Sequence, residues 1–162
     1  MSNALTLERL LQRFACRPAT SSAYAALQPL MQQLVSDGFT DLPLPGQGRT
    51  LDRWRTLAAV SASDLALAKL FEGHTDALAI MTELEPDAPP AAGTWGTWAA
   101  EPAFARLNIV DRQAGTVYLQ GRKAWCSGAA ILDRALVTAW DEQMQPQLVA
   151  VTLQQPAIRL LD

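Results

Sequence analysis

A proline-rich segment near the middle of the chain separates two parts with different hydrophobic patterns. Residues 85–93 read Glu-Pro-Asp-Ala-Pro-Pro-Ala-Ala-Gly, a composition that favours an extended linker over a packed element. Before this segment, apolar residues recur every three or four positions, as in amphipathic helices. After it they alternate or form short runs, as in strands. We therefore predict a helical domain over residues 1–88, a linker over 85–93 and a β domain over 94–162.

The first two helices are predicted from their apolar spacing and from the residues that interrupt it. Leu7, Leu10, Leu11 and Phe14 recur at three- and four-residue steps and form one face of a first helix, which ends before a proline at position 18. Residues 20–22 offer N-cap oxygens for a second helix, which Gly38 terminates. Because Pro29 falls inside that helix, we expect a kink there or two helices in series.

Capping residues predict where the later helices begin. Thr50 is expected to cap a third helix, and Ser61 with Asp64 has a capping-box-like spacing that predicts a new start at residue 61. Gly73 interrupts the stretch that follows, so His74 is expected at the start of a further helix. For this histidine a packing or capping role is favoured over a catalytic one.

The second part of the chain has five runs with strand-like patterns. They cover residues 107–110, 117–119, 135–140, 148–153 and 158–161. Hairpin-like connections separate several of them, and no helix of ordinary length lies between them, which favours antiparallel pairing. The predicted fold class is α+β: an all-α region followed by a small antiparallel sheet or barrel.

Composition argues against several classes of function. The 162 residues carry a net charge of −3 without a block of basic residues, so nucleic-acid binding through a basic face is not expected. No apolar run reaches the roughly 20 residues of a membrane span. One histidine and two cysteines do not supply the ligands of a zinc site. Because no secretory leader is recognisable, we expect a cytoplasmic protein with reduced thiols.

Two motifs in the second part resemble the acyl-CoA dehydrogenase family. Residues 119–129 read Leu-Gln-Gly-Arg-Lys-Ala-Trp-Cys-Ser-Gly-Ala, and an upstream Glu101-Pro102 precedes them. The middle domain of that family has a strand with the pattern Leu-x-Gly-x-Lys-x-Trp-Ile-Thr, preceded by a Thr-Glu-Pro segment. The order of helices before β segment is also similar, and the resemblance is strongest from Trp95 to Trp140.

The resemblance implies an FAD cofactor and a set of residues that bind its flavin ring. Trp125 would flank the ring, and the Ser127 hydroxyl would replace a family threonine that hydrogen-bonds the flavin N5. The residues themselves agree, because an indole offers a flat apolar wall and a serine two positions along a strand points to the same side. The residues implied are Thr97, Ala99, Ala100, Trp125, Cys126 and Ser127.

Structural roles stay open for the same residues. A tryptophan in a strand is more often part of the core, and Ser127 is also suited to a turn before a glycine. For Cys126 a small buried hydrophobe is favoured over a redox thiol. Glu101 is expected to cap or hydrogen-bond adjoining backbone.

The activity that the resemblance implies is FAD-dependent α,β-dehydrogenation of an acyl-CoA thioester, with electrons passed to an electron-transfer flavoprotein. In the family, a C-terminal helical bundle supplies the catalytic glutamate, and no residue of this chain matches it. Glu72, Glu83 and Glu101 are the carboxylates considered as replacements, and none lies in a family motif. The sequence also departs from the family at Ala105 and Arg106, where Gly and Ser are usual.

We therefore expect an enzyme that is incomplete as this chain alone. The partners expected are the acyl-CoA substrate and either further copies of the chain or a separate helical domain. The alternative is a non-catalytic relative that binds flavin, an acyl thioester or a partner subunit. A third possibility, a plain interaction module, is disfavoured by the retained Trp125-Cys126-Ser127 segment.

Overall fold

A computed structural model describes residues 2–17 and 23–161, which belong to two compact units, Met1–Thr94 and Trp95–Asp162. Within the described residues the first unit contains the helices α1 (Ser2–Ala15), α2 (Ala23–Ser36), α3 (Thr50–Ser63) and α4 (Leu65–Leu84). The second contains the strands β1 (Trp95–Trp98), β2 (Leu107–Gln113), β3 (Thr116–Gly121), β4 (Arg134–Trp140) and β5 (Pro146–Thr152). The predicted α+β class is thus confirmed.

The apolar positions that predict α1 are buried in the helical unit except Leu10, which is half-buried. Leu7, Leu11 and Phe14 of α1 are all buried, as their spacing requires. α2 continues through Pro29, and ends where Gly38 adopts a φ of 73°. The N–H of Phe39 then bonds to the carbonyl oxygen of Leu34 at 2.9 Å, a helix-terminating contact. The N-caps predicted at residues 20–22 lie outside the described part of the chain.

The predicted helix start at Ser61 is wrong by three residues. α3 continues through Ser61, whose hydroxyl donates to the carbonyl oxygen of Leu57 at 2.7 Å. The cap is Asp64, because its side chain accepts the Leu67 N–H at 2.9 Å. A serine that bonds back to its own helix cannot also cap the next one, so the aspartate takes that role.

The break predicted at Gly73 is also absent, and α4 passes through this residue without interruption. A glycine inside a helix costs about 1 kcal/mol relative to alanine, which the buried face of α4 offsets. His74 therefore lies in the middle of a helix, with only 1% of its surface exposed. None of the helices in residues 2–17 and 23–161 combines the length and apolarity needed to cross a membrane.

Strand β4 is the centre of a five-stranded sheet in the second unit. One side of β4 pairs with β5 in antiparallel register along its whole length. On its other side β4 pairs in parallel with β1, and β2 meets it at the Asn108–Trp140 pair. β2 and β3 form an antiparallel hairpin. The buried residues Trp95, Ala135, Val137 and Ala139 belong to its core.

The prediction of an antiparallel barrel is wrong, because this sheet is open and mixed. Parallel neighbours need a long connection, and we expected only a helix to provide one. Here the β2–β3 hairpin and the loop of residues 122–133 together connect β1 to β4. The absence of a helix between strands was therefore insufficient evidence for antiparallel pairing.

The strand predicted over residues 158–161 is also not formed. Pro156 lacks the N–H that a sheet ladder requires, and the N–H of Ile158 bonds back to the carbonyl oxygen of Gln155 in a turn. Leu160 and Leu161 are exposed, so a strand at these residues would bury no apolar surface that could stabilise it.

Buried His74 predicts that stability falls on mild acidification. Desolvation lowers its pKa from 6.5 to about 4. Between these values the unfolded chain binds the additional proton, so the free energy of unfolding decreases as pH falls. We expect a loss of about 2 kcal/mol between neutral pH and pH 5 from this group. Urea unfolding against pH measures it.

The chain contains one histidine, so the variant His74→Asn isolates the effect. Between pH 7 and pH 5, above the range where most carboxylates titrate, the free energy of unfolding of this variant should change much less than that of the wild type. This difference is expected whatever the stability of the variant at pH 7. If the free energy of unfolding changed equally with pH in both proteins over that range, His74 would not be a neutral, desolvated imidazole.

Candidate functional site

A partly buried ion pair joins the two motifs on which the resemblance depends. Nζ of Lys123, whose side chain is 7% exposed, lies 3.1 Å from Oε1 of Glu101. The same ammonium group donates to the carbonyl oxygen of Thr138 at 3.0 Å and to the Thr138 hydroxyl, which in turn donates to Glu101 at 2.9 Å. These contacts connect two loops to strand β4: residues 99–106, which precede β2, and residues 122–133, which follow β3.

Trp140 engages the second oxygen of the Glu101 carboxylate. Its indole Nε1 donates to Oε2 at 2.6 Å. Partial burial disfavours the charged form, but the hydrogen bonds from Trp140, Thr138 and Lys123 outweigh it and lower the pKa of Glu101. Glu101 is therefore ionised at neutral pH and is a weak proton acceptor. Glu101 thus has structural contacts, but its partners are three distant side chains and not the adjoining backbone that the sequence predicted.

The glycine of the second motif permits a close approach between two backbone segments. Gly121 has a φ of 132°, and a Cβ atom there would collide with the carbonyl oxygen of Arg106. The N–H of Arg122 donates to that oxygen at 3.0 Å. Any other residue at position 121 would separate the start of β2 from the end of β3.

Two aromatic side chains stand exposed on this unit. Trp125 and Phe104 are 68% and 71% exposed, with ring centroids 6.2 Å apart and planes at 88°. Trp125 also has a φ of 57°, a left-handed conformation that is unfavourable for a bulky residue. Neither the exposure nor the backbone conformation stabilises the fold. Such an arrangement is typical of a surface that contacts something else.

The strand predicted through Trp125 is wrong. β3 ends at Gly121, and residues 122–133 form a loop. The N–H of Ser127 bonds to the carbonyl oxygen of Trp125 at 3.0 Å, which closes a tight turn around Cys126. Strand alternation therefore does not relate the two side chains. Trp125 and Ser127 remain predicted flavin contacts, on a turn instead of a strand.

The other predicted flavin contacts lie on β1 or on the loop of residues 99–106 that follows it. Thr97 is a half-buried residue of β1 paired with Leu136. Ala99 and Ala100 follow β1 and are exposed, and the Ala99 carbonyl oxygen lies 3.4 Å from Oγ1 of Thr138. All six predicted residues thus belong to the β unit. No contact in the described residues tests their flavin roles.

The positions that depart from the family pattern have structural contacts of their own. Ala105 is buried, and its N–H donates to the carbonyl oxygen of Pro102 at 3.0 Å. Cζ of Arg106 lies 4.9 Å from the centroid of the Trp140 ring, a cation–π distance. Arg106 is an exposed residue.

Cys126 has the environment of a protonated thiol. Burial raises its pKa, an effect that nearby Lys123 only partly offsets. Sγ lies 3.4 Å from the carbonyl oxygen of Lys123. A thiolate is the reactive form of cysteine, so these conditions favour the small-hydrophobe role over a redox one.

The two remaining candidate bases belong to the helical unit. Glu72 and Glu83 both lie on α4. Oε2 of Glu72 forms an exposed ion pair with Nζ of Lys69 at 2.8 Å, and Glu83 is exposed. The β unit's own candidate is Glu101, and its hydrogen bonds already occupy both oxygens.

Thr138 and Trp140 are the residues of the cluster that our sequence reasoning missed. Both were assigned only to a strand. They are two positions apart on β4 and therefore point to the same side, one with a hydroxyl and the other with an indole N–H. This polar pair within an otherwise apolar run was the available signal.

Comparison with protein-family models, with curated proteins and with solved structures found no match to this chain. The function must therefore be inferred from the residues of the site and from their geometry.

We predict that Lys123→Met destabilises the protein by about 3 kcal/mol, because it leaves the partly buried Glu101 carboxylate without its cation. The matched control is Lys69→Met, which breaks an exposed ion pair and should cost no more than about 0.5 kcal/mol. Chemical denaturation measures both values.

The double variant Glu101→Gln, Lys123→Met should be more stable than Lys123→Met alone, since no uncompensated charge remains. A Lys123→Met protein as stable as Lys69→Met would show that the cluster does not hold the loops.

Proposed function

We propose that this chain is an acyl-CoA dehydrogenase-like flavoprotein and that its β unit binds the flavin ring of FAD at Trp125. The reaction proposed for the complete assembly is α,β-dehydrogenation of an acyl-CoA thioester, with an electron-transfer flavoprotein as electron acceptor. The residues described here contribute binding, and the proton-abstracting base comes from outside them.

The exposed, conformationally strained Trp125 is the observation that carries this proposal. An indole with 68% of its surface in water and a backbone φ of 57° contributes little to the fold. A flat heteroaromatic ring is a suitable partner, because stacking buries apolar surface on both sides. Phe104, perpendicular to Trp125 at 6.2 Å, adds a second aromatic side chain beside it.

The surrounding residues suit the polar edges of such a ring. A flavin, when bound, would supply the hydride-accepting chemistry of the proposed reaction. The Ser127 hydroxyl would donate a hydrogen bond to a ring nitrogen. The exposed backbone at Ala99 and Ala100 would face the pyrimidine edge. Arg106 is the nearby cation for a phosphate. Glu101 and Lys123 would keep both loops in position while the ligand binds.

A second candidate is a flavin-binding protein that performs no dehydrogenation. The contacts of Glu101 favour it, since both carboxylate oxygens already accept hydrogen bonds and the pKa is lowered. A general base needs a pKa near the working pH, and the lowered pKa of Glu101 makes it a weak base. The two candidates share the Trp125 site and differ only in the chemistry.

Titration with FAD tests the shared site. We expect the protein to bind FAD and Trp125→Ala to bind it about tenfold more weakly, the effect of losing one good aromatic contact. Trp54→Ala is the matched control, because Trp54 is a helical-unit tryptophan that is 61% exposed. Its affinity should equal that of the wild type. Flavin fluorescence and absorbance measure the binding.

Both variants remove exposed side chains, so each should keep the wild-type circular dichroism spectrum. Failure of the wild type to bind FAD, or equal affinity in all three proteins, would reject the site. Anaerobic addition of octanoyl-CoA to the FAD-loaded protein then separates the candidates. Bleaching of the visible flavin absorbance supports the dehydrogenase, and unchanged absorbance supports the binding protein.

A further inference from the structure

The helical unit contains a cavity that the proposed function does not use. Its volume is about 370 Å³, within the range of small-molecule sites. The end of α2, the loop of residues 40–44, helices α3 and α4 and the segment of residues 90–93 enclose it. The cavity therefore lies entirely within one unit, and its shape depends only on that unit's packing.

A buried arginine lines this cavity. The Arg53 side chain is 7% exposed, and its Nη2 lies 2.9 Å from Oδ1 of Asp76. Nη2 also donates to Thr75 Oγ1, and Nη1 to the carbonyl oxygen of Pro43, both at 3.4 Å. A guanidinium has five N–H donors. Two of those of Arg53, at Nε and Nη1, have no acceptor among residues 2–17 and 23–161.

The ion pair of Arg53 is asymmetric. The Asp76 side chain is 42% exposed and that of Arg53 only 7%, although partial burial and the nearby Glu72 charge still raise the pKa of Asp76. Arg53 is the more deeply buried partner, and an anion in the cavity would add charge-assisted hydrogen bonds at its remaining N–H groups.

The rest of the cavity wall is largely apolar. Val35, Leu42 and Leu78 contribute hydrocarbon surface. Desolvation lowers the pKa of His74 to about 4, so this lining imidazole is neutral at pH 7 and Arg53 provides the positive charge. Asp41 also lines the cavity, but it is exposed and its charge is screened by water.

We propose that this cavity binds a small amphipathic carboxylate, with the carboxylate on Arg53 and the hydrocarbon part against the apolar wall. The volume suits an aliphatic chain or ring of about six to ten carbons. An arginine is the residue best adapted to a carboxylate, because its parallel N–H groups match both oxygens. This site is independent of the flavin site.

Octanoate is the probe, and octanamide is its neutral analogue of equal length. Isothermal titration calorimetry on the full chain should show octanoate binding about tenfold more tightly than octanamide, the difference expected for a charge-assisted contact. Equal affinities would overturn the carboxylate assignment. Absence of binding by both would overturn the site.

Two pairs of variants connect the binding to this cavity. Asp76→Ala should strengthen octanoate binding about threefold, because it releases an Nη2 donor and removes a competing carboxylate. Glu83→Ala removes the same charge from an exposed position of α4 outside the cavity wall and should have no effect. Weaker or unchanged binding in Asp76→Ala would contradict the role of Arg53.

Ala92→Phe places a large side chain at the cavity wall and should abolish binding, whereas Ala88→Phe, in the same exposed segment but not at the wall, should not. Arg53→Gln should lower affinity at least about tenfold. Arg53 is buried, and if that variant does not fold, the Asp76 and Ala92 variants still decide the question. Binding that survives Ala92→Phe would overturn the proposal.

Discussion

The ion pair between Lys123 and Glu101 is the interaction on which the β unit's candidate site depends. It connects two loops that are 22 residues apart in sequence and fastens both to Thr138 of the central strand. Burial of such a pair is stabilising only when further hydrogen bonds satisfy the remaining donors and acceptors. Thr138 and Trp140 supply them, so the cluster is a complete network and not an isolated contact.

This network explains why two separate sequence motifs occur together. Gly121 allows one loop to approach the backbone at Arg106, and Lys123 reaches the glutamate of the other motif. Both residues therefore have roles in the fold. Trp125 differs, because most of its side chain is exposed, its backbone is left-handed, and its ring contact is with the equally exposed Phe104. Gly121 and Lys123 thus hold the loop in place, and Trp125 on the same loop is exposed and accessible to a ligand.

The sequence predicts local features well and distant pairings poorly. The buried face of α1 and the hairpin of β2 and β3 follow from spacing, because neighbours along the chain determine them. The parallel pairing of β1 with β4 depends on how a hairpin and a loop fold back between them, which no local pattern records. The same holds for the site, where the resemblance identified Glu101 and Lys123 in separate motifs but not their contact.

In the complex that we propose, the flavin ring lies against the indole of Trp125. Nuclear Overhauser effects between the ring protons of bound FAD and the assigned indole protons measure that contact directly. We expect cross-peaks to Trp125 and Phe104 and none to Trp54. Cross-peaks to Trp54 alone, or to no aromatic side chain of the β unit in a protein saturated with FAD, would contradict the account.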